Sequence, residues 1–339
     1  MNKYLSIFGA IIILQSCTSD DKITELSLGN YVNGFFILNE GGVGSVTYIS
    51  EDFTTVENDI YKHNNANSDL GNYVQSMFFD NELAFIISNG SNLITIVNRY
   101  TFKTVGVVNS GIEVPRYGVV VDGKAYITNQ ASFQTSDDDY IAVVNLETFE
   151  VEDAFLVGDT VEYIQTNGSN LFVQNAAYGF GNHISVIDPS NGDVIERIET
   201  SQGLNEFELY GNNLYALSSN ELEIFNLSNL ELSKTVDLNN SLTPRHLEVI
   251  NDTIFYTVSN SVYSMSISAI NAPTSPFVTY ESQSAYGVMY GFKSYNNKIF
   301  IADGGDFASN SFIEVYDLNG TKLFSTDVGI APNGFYFNY

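Results

Sequence analysis

An internal repeat constrains this sequence more than any other feature. A short apolar strand with an aromatic residue near its centre recurs along the chain. The central aromatics are Phe36, Phe85, Tyr126, Phe172, Tyr215, Phe255 and Phe300. They are separated by 49, 41, 46, 43, 40 and 45 residues, a period typical of repeated supersecondary units. Such units stack against one another, because a single unit does not bury its apolar faces alone.

Most repeats contain a second recurring feature, a strand that closes with Asn or Asp and then turns. The residues that open these turns are Asn98, Asn145, Asp188, Asn226 and Asp317. An Asn or Asp side chain bonds the backbone two residues further on, which favours a tight turn. Each period has room for about four short strands, as in the blade of a β-propeller. The sequence therefore predicts an all-β fold, a seven-bladed β-propeller.

The first repeat lacks one strand. Before it, residues 18–33 have little strand character, and after the seventh blade residues 331–339 are left over. We predict that this C-terminal segment supplies the innermost strand of the first blade. That pairing would close the ring and remove a free sheet edge. The propeller is expected to span residues 34–339 as one domain.

The N-terminus has the pattern of a targeting segment. Met1-Asn2-Lys3 precedes an apolar stretch of about ten residues, which is too short to span a bilayer as a mature helix. Leu14-Gln15-Ser16-Cys17 resembles the lipobox of bacterial lipoproteins, and Cys17 is the only cysteine. We predict a signal peptide over residues 1–16 and a lipid anchor and tether, starting at lipidated Cys17, over residues 17–33. The alternative is a plain secretory signal with an incidental cysteine.

The residues after Cys17 and the overall charge indicate a location and exclude one class of partner. Thr18-Ser19-Asp20-Asp21 resembles the acidic export signal of lipoproteins on the outer face of the outer membrane in Bacteroides-type bacteria. The resemblance implies an outer-membrane, cell-surface protein. With 13 basic and 40 acidic residues the formal charge is −27, which suits a soluble surface domain and repels phosphate backbones. Nucleic acid is therefore not expected as a partner.

Propeller topology predicts which residues meet around one mouth of the central channel. The starts of the inner strands and the loops between second and third strands emerge on the same face, and we expect ligand contacts there. At the inner-strand starts stand Arg116, Tyr117, Glu162, Tyr163, Asn205, Glu206, Arg245, His246 and Tyr286. On the long loops stand Phe133, Tyr178, Phe180 and Phe307. An aromatic side chain on such a loop is unfavourable unless it packs or binds.

Structural roles for several of these residues remain open. The inner aromatics also suit the packed wall of the channel, namely Tyr117, Tyr163, Phe207 and Tyr286. The two arginines also suit ion pairs with nearby glutamates, Arg116 with Glu162 and Arg245 with Glu206.

Motifs for catalysis are mostly absent. The three histidines have no metal-binding spacing, and neither a nucleophile elbow nor a phosphate-binding loop occurs. We therefore predict a binding protein with no catalytic residue, metal or cofactor. Asp137-Asp138-Asp139 and Asp303-Gly304-Gly305-Asp306 leave calcium open as an alternative. A lactonase-like hydrolase would draw part of a metal cage from Glu162, Asn205 and Glu206.

The run Gly34-Phe35-Phe36-Ile37-Leu38-Asn39-Glu40-Gly41, with the lipobox and the blade turns, resembles the YncE/YVTN-like propeller lipoproteins of Bacteroides-type bacteria. The resemblance spans the mature chain, although the YVTN tetrapeptide is missing. BtuG-like members of this group capture cobalamin and pass it to a TonB-dependent outer-membrane transporter. The resemblance thus implies that a ligand binds on the loop face, with cobalamin as the leading candidate. It also implies a TonB-dependent outer-membrane receptor as the partner. A scaffold for a protein or glycan and a metal-dependent hydrolase are the alternative functions.

Overall fold

The computed structural model of the protein describes residues 29–132, 134–238 and 243–339. The predicted signal peptide, Cys17 and most of the predicted tether lie outside the described residues, as does Phe133. Within the described ranges the chain forms 28 strands in seven four-stranded antiparallel sheets. The prediction of a seven-bladed β-propeller is confirmed.

Each blade runs from an inner strand at the channel to an outer strand at the rim. Blade 1 consists of β28 (Pro332–Asn338), β1 (Gly34–Asn39), β2 (Ser45–Ser50) and β3 (Val56–Glu57). Blade 2 consists of β4 (Val74–Asp80), β5 (Leu83–Ser88), β6 (Leu93–Asn98) and β7 (Thr104–Val108). Blade 3 consists of β8 (Pro115–Val121), β9 (Lys124–Asn129), β10 (Tyr140–Asn145) and β11 (Glu150–Leu156). Blade 4 consists of β12 (Ile164–Thr166), β13 (Leu171–Ala177), β14 (Phe180–Ile187) and β15 (Val194–Glu199). Blade 5 consists of β16 (Glu206–Tyr210), β17 (Asn213–Leu217), β18 (Glu221–Asn226) and β19 (Leu232–Asp237). Blade 6 consists of β20 (Arg245–Ile250), β21 (Thr253–Val258), β22 (Ser261–Ser266) and β23 (Val278–Thr279). Blade 7 consists of β24 (Gly291–Tyr295), β25 (Lys298–Ala302), β26 (Asn310–Asp317) and β27 (Lys322–Ile330).

The core lies between the blades. Successive residues of a strand point to opposite faces, so a strand packed on both sides needs apolar residues throughout. In β1, Phe35 packs on Phe300 of blade 7 with ring centroids 5.2 Å apart, and Phe36 packs on Phe102 of blade 2 at 4.9 Å. Buried apolar residues of the described ranges form seven clusters, one at each contact between neighbouring blades. The seven repeated aromatics all lie on second strands and are at most 4% exposed.

The C-terminal strand closes the ring. β28 pairs antiparallel with β1, with Tyr336 opposite Phe36, so the predicted closure is confirmed. At the far end of β28 the side chain of Asn338 is buried, and its Nδ2 donates to the carbonyl of Arg99 at 3.1 Å. Asn338 also contacts the guanidinium of Arg99 and the carbonyl of Tyr31. These bonds tie the last strand to blade 2 and to the segment that enters blade 1.

One short α-helix, α1 (Ile60–Asn64), stands out from the β fold in the part of the chain that is described, and no sequence pattern indicated it. It follows β3, an outer strand of only two residues, and covers that side of blade 1 with the buried side chains of Ile60 and Tyr61. A 3₁₀ turn covers Asn89–Ser91. Among the described helices, none has the length and apolar character to cross a membrane.

The two ends of the propeller differ in their connections. In blades 2–7 a hairpin turn joins the first strand to the second, and in each blade another connection joins the third strand to the fourth. We call the end of the propeller that carries these connections the base face. The mouth face carries the loops from second to third strands and the links between blades. The predicted base turns are confirmed at Asn98, Asn145, Asp188, Asn226 and Asp317. In each, the side-chain oxygen accepts a hydrogen bond from the amide two residues on, at 2.8–3.1 Å.

Candidate functional site

The inner strands surround a central cavity of about 750 Å³ that opens at the mouth face. Its wall takes residues from all seven blades, and loop residues such as Glu40 and Asn89 stand at its rim. Alternation along each inner strand turns every second side chain toward the channel. Gly334 leaves room for the ring of Tyr336 in the cavity wall, because a Cβ at position 334 would lie 2.8 Å from that ring. The volume is in the range of small-molecule sites.

Arg116 and Glu162 form a buried ion pair at the rim. Arg116 Nη2 lies 2.6 Å from Glu162 Oε1, and Nε lies 3.0 Å from Oε2. The remaining Nη1 donates to Gln75 Oε1 at 2.7 Å, and Gln130 Nε2 donates to Glu162 Oε2 at 2.6 Å. Burial opposes the guanidinium charge, but the Glu162 carboxylate outweighs it and raises the pKa of Arg116. The Arg116 fork is thus committed to protein partners.

One side of the cavity, from blades 5 to 7, is rich in carboxylates. Lys293 Nζ lies 2.5 Å from Glu248 Oε1, and this pairing outweighs burial and raises the pKa of Lys293. Burial, with repulsion from Glu248, raises the pKa of Glu206 to about 8. Burial likewise raises the pKa of Glu208 to about 7. This side therefore holds groups that change charge near neutral pH.

Glu206 faces His246 across 3.9 Å, between carboxylate Oε2 and ring Nδ1. The other ring nitrogen, Nε2, lies 2.8 Å from the carbonyl of Met289 and donates to it, which leaves Nδ1 as an acceptor. Burial lowers the pKa of His246 to about 4. The raised pKa of Glu206 and the lowered pKa of His246 both favour the neutral forms near neutral pH, and Glu206 Oε2 also accepts from the Leu247 amide at 2.8 Å. The pair offers a ligand both a donor and an acceptor.

The opposite side of the cavity is apolar and aromatic. Met77, Phe78, Val119 and Tyr336 line it. Tyr117 and Tyr163 join the two sides, with their rings edge-to-face at 5.3 Å. The cavity thus presents an apolar wall and a charged wall to one enclosed space, which suits a ligand with two chemically different faces.

The structure brings only part of the predicted site together. Six of the predicted residues line the cavity or its rim, namely Arg116, Tyr117, Tyr163, Tyr178, Glu206 and His246. Glu162 adjoins them through Arg116, and Phe307 packs on the cavity residue Tyr290 with ring centroids 5.0 Å apart. The others lie elsewhere. Asn205 donates to the Pro244 carbonyl, Arg245 and Tyr286 line a separate depression of about 280 Å³, and Phe180 lines a peripheral groove.

Two register details separate the predicted set from the observed one. The inner strand of blade 7 begins at Gly291, so Tyr290 reaches the cavity while Tyr286, 90% exposed, does not. The delay arises because residues 280–289 form a loop that Asp303 holds through the Tyr280 hydroxyl at 2.8 Å. Glu248 and Lys293 were missed because they stand about two residues further into their strands. Counting every second residue inward from the start of each inner strand would have identified both as residues that face the channel.

Metal ligands are not assembled at this site. Among the described residues, no group of three or more His, Cys, Asp or Glu side chains is placed to hold a metal ion. Of the three residues considered for a hydrolase cage, Glu162 is bound by Arg116 and Gln130, and Asn205 Nδ2 donates to a backbone carbonyl. The cavity instead offers hydrogen-bond donors, acceptors and aromatic faces.

Comparison with solved structures places the fold among propellers. A quinonprotein alcohol dehydrogenase-like protein from Bacteroides thetaiotaomicron has a TM-score of 0.70 at 16% identity, over 91% of this chain and 79% of that one. BamB from Moraxella catarrhalis has a TM-score of 0.55 at 11% identity, over 90% and 86%. The dihydro-heme d1 dehydrogenase NirN in complex with DHE has a TM-score of 0.57 at 12% identity, over 91% and 76%. At these identities the likeness concerns the fold alone.

Comparison of sequences gives one family. The model described as "Domain of unknown function (DUF5074)" matches residues 33–338, which is nearly the whole propeller. No curated protein sequence matches the chain significantly.

Proposed function

We propose that this chain, which belongs to the DUF5074 family, binds a small ligand at the mouth of its central cavity. The observation that carries the proposal is the cavity of about 750 Å³ with one apolar and one charged wall. A few convergent polar groups set against aromatic faces are typical of small-molecule sites. The carboxylates with raised pKa support the same location, since such groups concentrate at functional sites.

Aromatic side chains at the rim support a ligand that extends beyond the cavity. Tyr178 is 72% exposed on the loop after β13, and Tyr73 is half exposed just before β4. Both are in the left-handed backbone region, at φ 54° and 52°, which is unfavourable for residues other than glycine. Strained, exposed aromatics around one opening suit stacking on a flat ligand.

Cobalamin is the leading specific ligand in this proposal, and its basis is the resemblance to BtuG-like propellers. Cobalamin is too large for the cavity alone, so it would lie across the mouth with its apolar parts on Tyr73 and Tyr178. Its amides would meet the side-chain oxygens of Asn89 and Asn333 at the rim. Because Glu162 and Gln75 already occupy the Arg116 fork, we do not assign Arg116 to the phosphate.

We propose further that the protein is a lipoprotein of the outer-membrane surface that hands its ligand to a TonB-dependent receptor. The described part of the chain supports one aspect, the orientation. β1 runs from the base face at Gly34 to the mouth at Asn39, so the described residues that precede it, 29–33, lie at the base. A tether over residues 17–33, lipidated at Cys17, would therefore direct the mouth away from the membrane that holds the anchor.

Titration calorimetry of the mature chain with cyanocobalamin tests the ligand. Binding is expected for the wild type and should weaken at least tenfold, about 1.4 kcal/mol, in a Tyr73→Ala/Tyr178→Ala variant. Leu232→Ala is the control, since Leu232 is an exposed apolar residue at the base end of an outer strand. An absence of binding heat in the wild type contradicts cobalamin. Equal weakening in the control contradicts the mouth as the site.

A scaffold for a partner protein is the second candidate, and the exposed aromatics on the mouth face favour it. It would use the same side chains without filling the cavity. Affinity purification from an outer-membrane extract separates the two proposals. A scaffold retains a protein partner when cavity residues such as Gln75 and Tyr290 are changed to Ala, whereas a small-ligand site loses its ligand.

A further inference from the structure

We propose a second binding site, for a saccharide ring, in a groove between blades 3 and 4 on the mouth face. The groove has a volume of about 470 Å³. One wall is formed by residues 130–132 and 134–139 between β9 and β10, and the other is the tip of the β13–β14 hairpin, residues 177–181. The site is separate from the central cavity, and among the described residues only Tyr178 lines both; its hydroxyl donates to Gln130 Oε1 of the groove at 3.4 Å.

Asp139 is the first observation that points to a ligand here. It lines the groove yet is only 2% exposed. Its Oδ2 accepts from the Val161 amide at 3.1 Å, while Oδ1 has no hydrogen-bond partner. A buried carboxylate oxygen without a donor is unfavourable and calls for an explanation. A ligand hydroxyl that enters the groove would supply the missing donor.

The hairpin tip is the second observation. Phe180 is 79% exposed and lines the groove, and Tyr178 beside it is also exposed. A bulge after Asn175 and positive φ angles at Tyr178, Gly179 and Gly181 set the direction of the tip. An apolar ring held in water beside a carboxylate acceptor is the arrangement that a sugar needs, since a sugar ring has an apolar face and a hydroxyl edge.

The remaining lining favours a neutral, hydroxyl-rich ligand over a cation. Asp159, the other carboxylate in the groove, already pairs with His183 at 2.9 Å and Arg197 at 3.2 Å. Hydroxyl and amide groups that both donate and accept hydrogen bonds line the rest, from Ser132, Gln134, Thr135, Ser136 and Thr160. Burial raises the pKa of Asp139 to about 6, so its surroundings do not stabilise a full charge. Many small polar groups around one acceptor match several hydroxyls better than one cation.

Saturation-transfer NMR with four separate probes tests the site: D-glucose, D-galactose, D-mannose and N-acetyl-D-glucosamine. We expect transfer to at least one sugar and a dissociation constant at least tenfold higher in Phe180→Ala. Asp139→Asn, which keeps the size of the side chain, should weaken binding at least fivefold. Tyr286→Ala is the matched control, an exposed aromatic on the same face outside the groove, and should change affinity less than twofold.

Three results would overturn the proposal. One is the absence of transfer to all four sugars. Another is equal affinity in the Phe180→Ala and Tyr286→Ala variants. The third is binding of an amine probe, putrescine, at this groove with loss in Asp139→Asn, which would assign a cation instead. Tyr73→Ala should leave sugar binding unchanged, so that failure of the cavity proposal and failure of the groove proposal remain distinguishable.

Discussion

The base face and the mouth face are built from the same blades but follow different rules. At the base the same turn recurs. The amides of Phe102, Phe149 and Leu230 donate to the carbonyl four residues back, at 2.8, 2.8 and 2.7 Å. At the mouth the loops in the described chain differ widely in length. The β13–β14 connection is two residues long, while the β9–β10 connection runs from residue 130 to 139.

The difference separates what holds the fold from what is available for binding. The base turn recurs in successive blades, and so does the packing between neighbouring blades. We therefore assign the recurring turn to the stability of that packing. Loops that differ carry side chains that have no counterpart in the other blades, namely Tyr73, Tyr178, Phe180 and Asp139. We infer that changes at the base alter stability and that changes at the mouth alter ligand binding.

Opening the ring should have the largest effect on the repeated part. Deletion of residues 331–339 removes β28, which pairs with β1 and supplies the inner strand of blade 1. We expect loss of cooperative thermal unfolding, measured by circular dichroism, because two blades then lose their shared contacts. Removal of Tyr339 alone is the control and should leave a cooperative transition. A truncated protein with an unchanged transition would refute the closure.

A substitution in the repeated core and a substitution at the mouth should differ by several kcal/mol in their effect on the free energy of unfolding. Phe36→Ala creates a cavity between blades 1 and 2 and should lower the free energy of unfolding by about 3–5 kcal/mol. Phe180→Ala, at an exposed mouth position, should change it by no more than about 0.5 kcal/mol. Urea unfolding measures both. Similar losses in the two variants would end the division between the repeated core and the mouth.

Glu206 allows a pH test of the charged wall. Its pKa is raised from 4.5 to about 8, so the folded state binds an extra proton between these values. The free energy of unfolding should therefore fall as pH rises from about 5 to 8. Glu206→Gln removes this titration and should stabilise the protein by at least about 1 kcal/mol more at pH 8 than at pH 5. Urea unfolding at both pH values measures the difference, and an equal effect at the two would contradict the buried, proton-binding state of Glu206.

The smallest effect concerns one base turn. Asn145→Ala removes hydrogen bonds from the amides of Glu147 and Thr148, at 2.8 and 3.2 Å. We expect a loss of about 1 kcal/mol in urea unfolding and unchanged ligand binding. Gln134→Ala, on an exposed mouth loop, is the paired variant and should leave stability within about 0.5 kcal/mol. A larger loss in Gln134→Ala than in Asn145→Ala would reverse the comparison.

The parts of the fold that repeat were predictable because they depend on local sequence. The aromatic at the centre of each second strand and the Asn or Asp that opens each base turn act within a few residues. Ring closure also followed, since one strand was missing at one end and left over at the other. Helix α1 was not predicted, because its packing of Ile60 and Tyr61 beside a two-residue outer strand has no counterpart in the other blades.

The site was predictable only in outline, because its residues meet through distant contacts. The position of Tyr290 depends on how Asp303 holds the preceding loop, over a separation of more than twenty residues in sequence. The raised pKa of Glu206 depends on burial among several blades and on Glu248 from the neighbouring blade. The burial of Asp139 depends on the segment that leads into blade 4. None of these contacts has a local sequence signal.

Hydrogen exchange with and without saturating cyanocobalamin is the sharpest test of the mouth as the ligand site, because it reads both faces of the propeller in one experiment. We predict slower exchange, measured by mass spectrometry, in mouth segments 72–75 and 177–181. Exchange in base segments 98–104 and 145–150 should stay unchanged. Slower exchange at the base, or no change at the mouth, would contradict a ligand site at the central cavity.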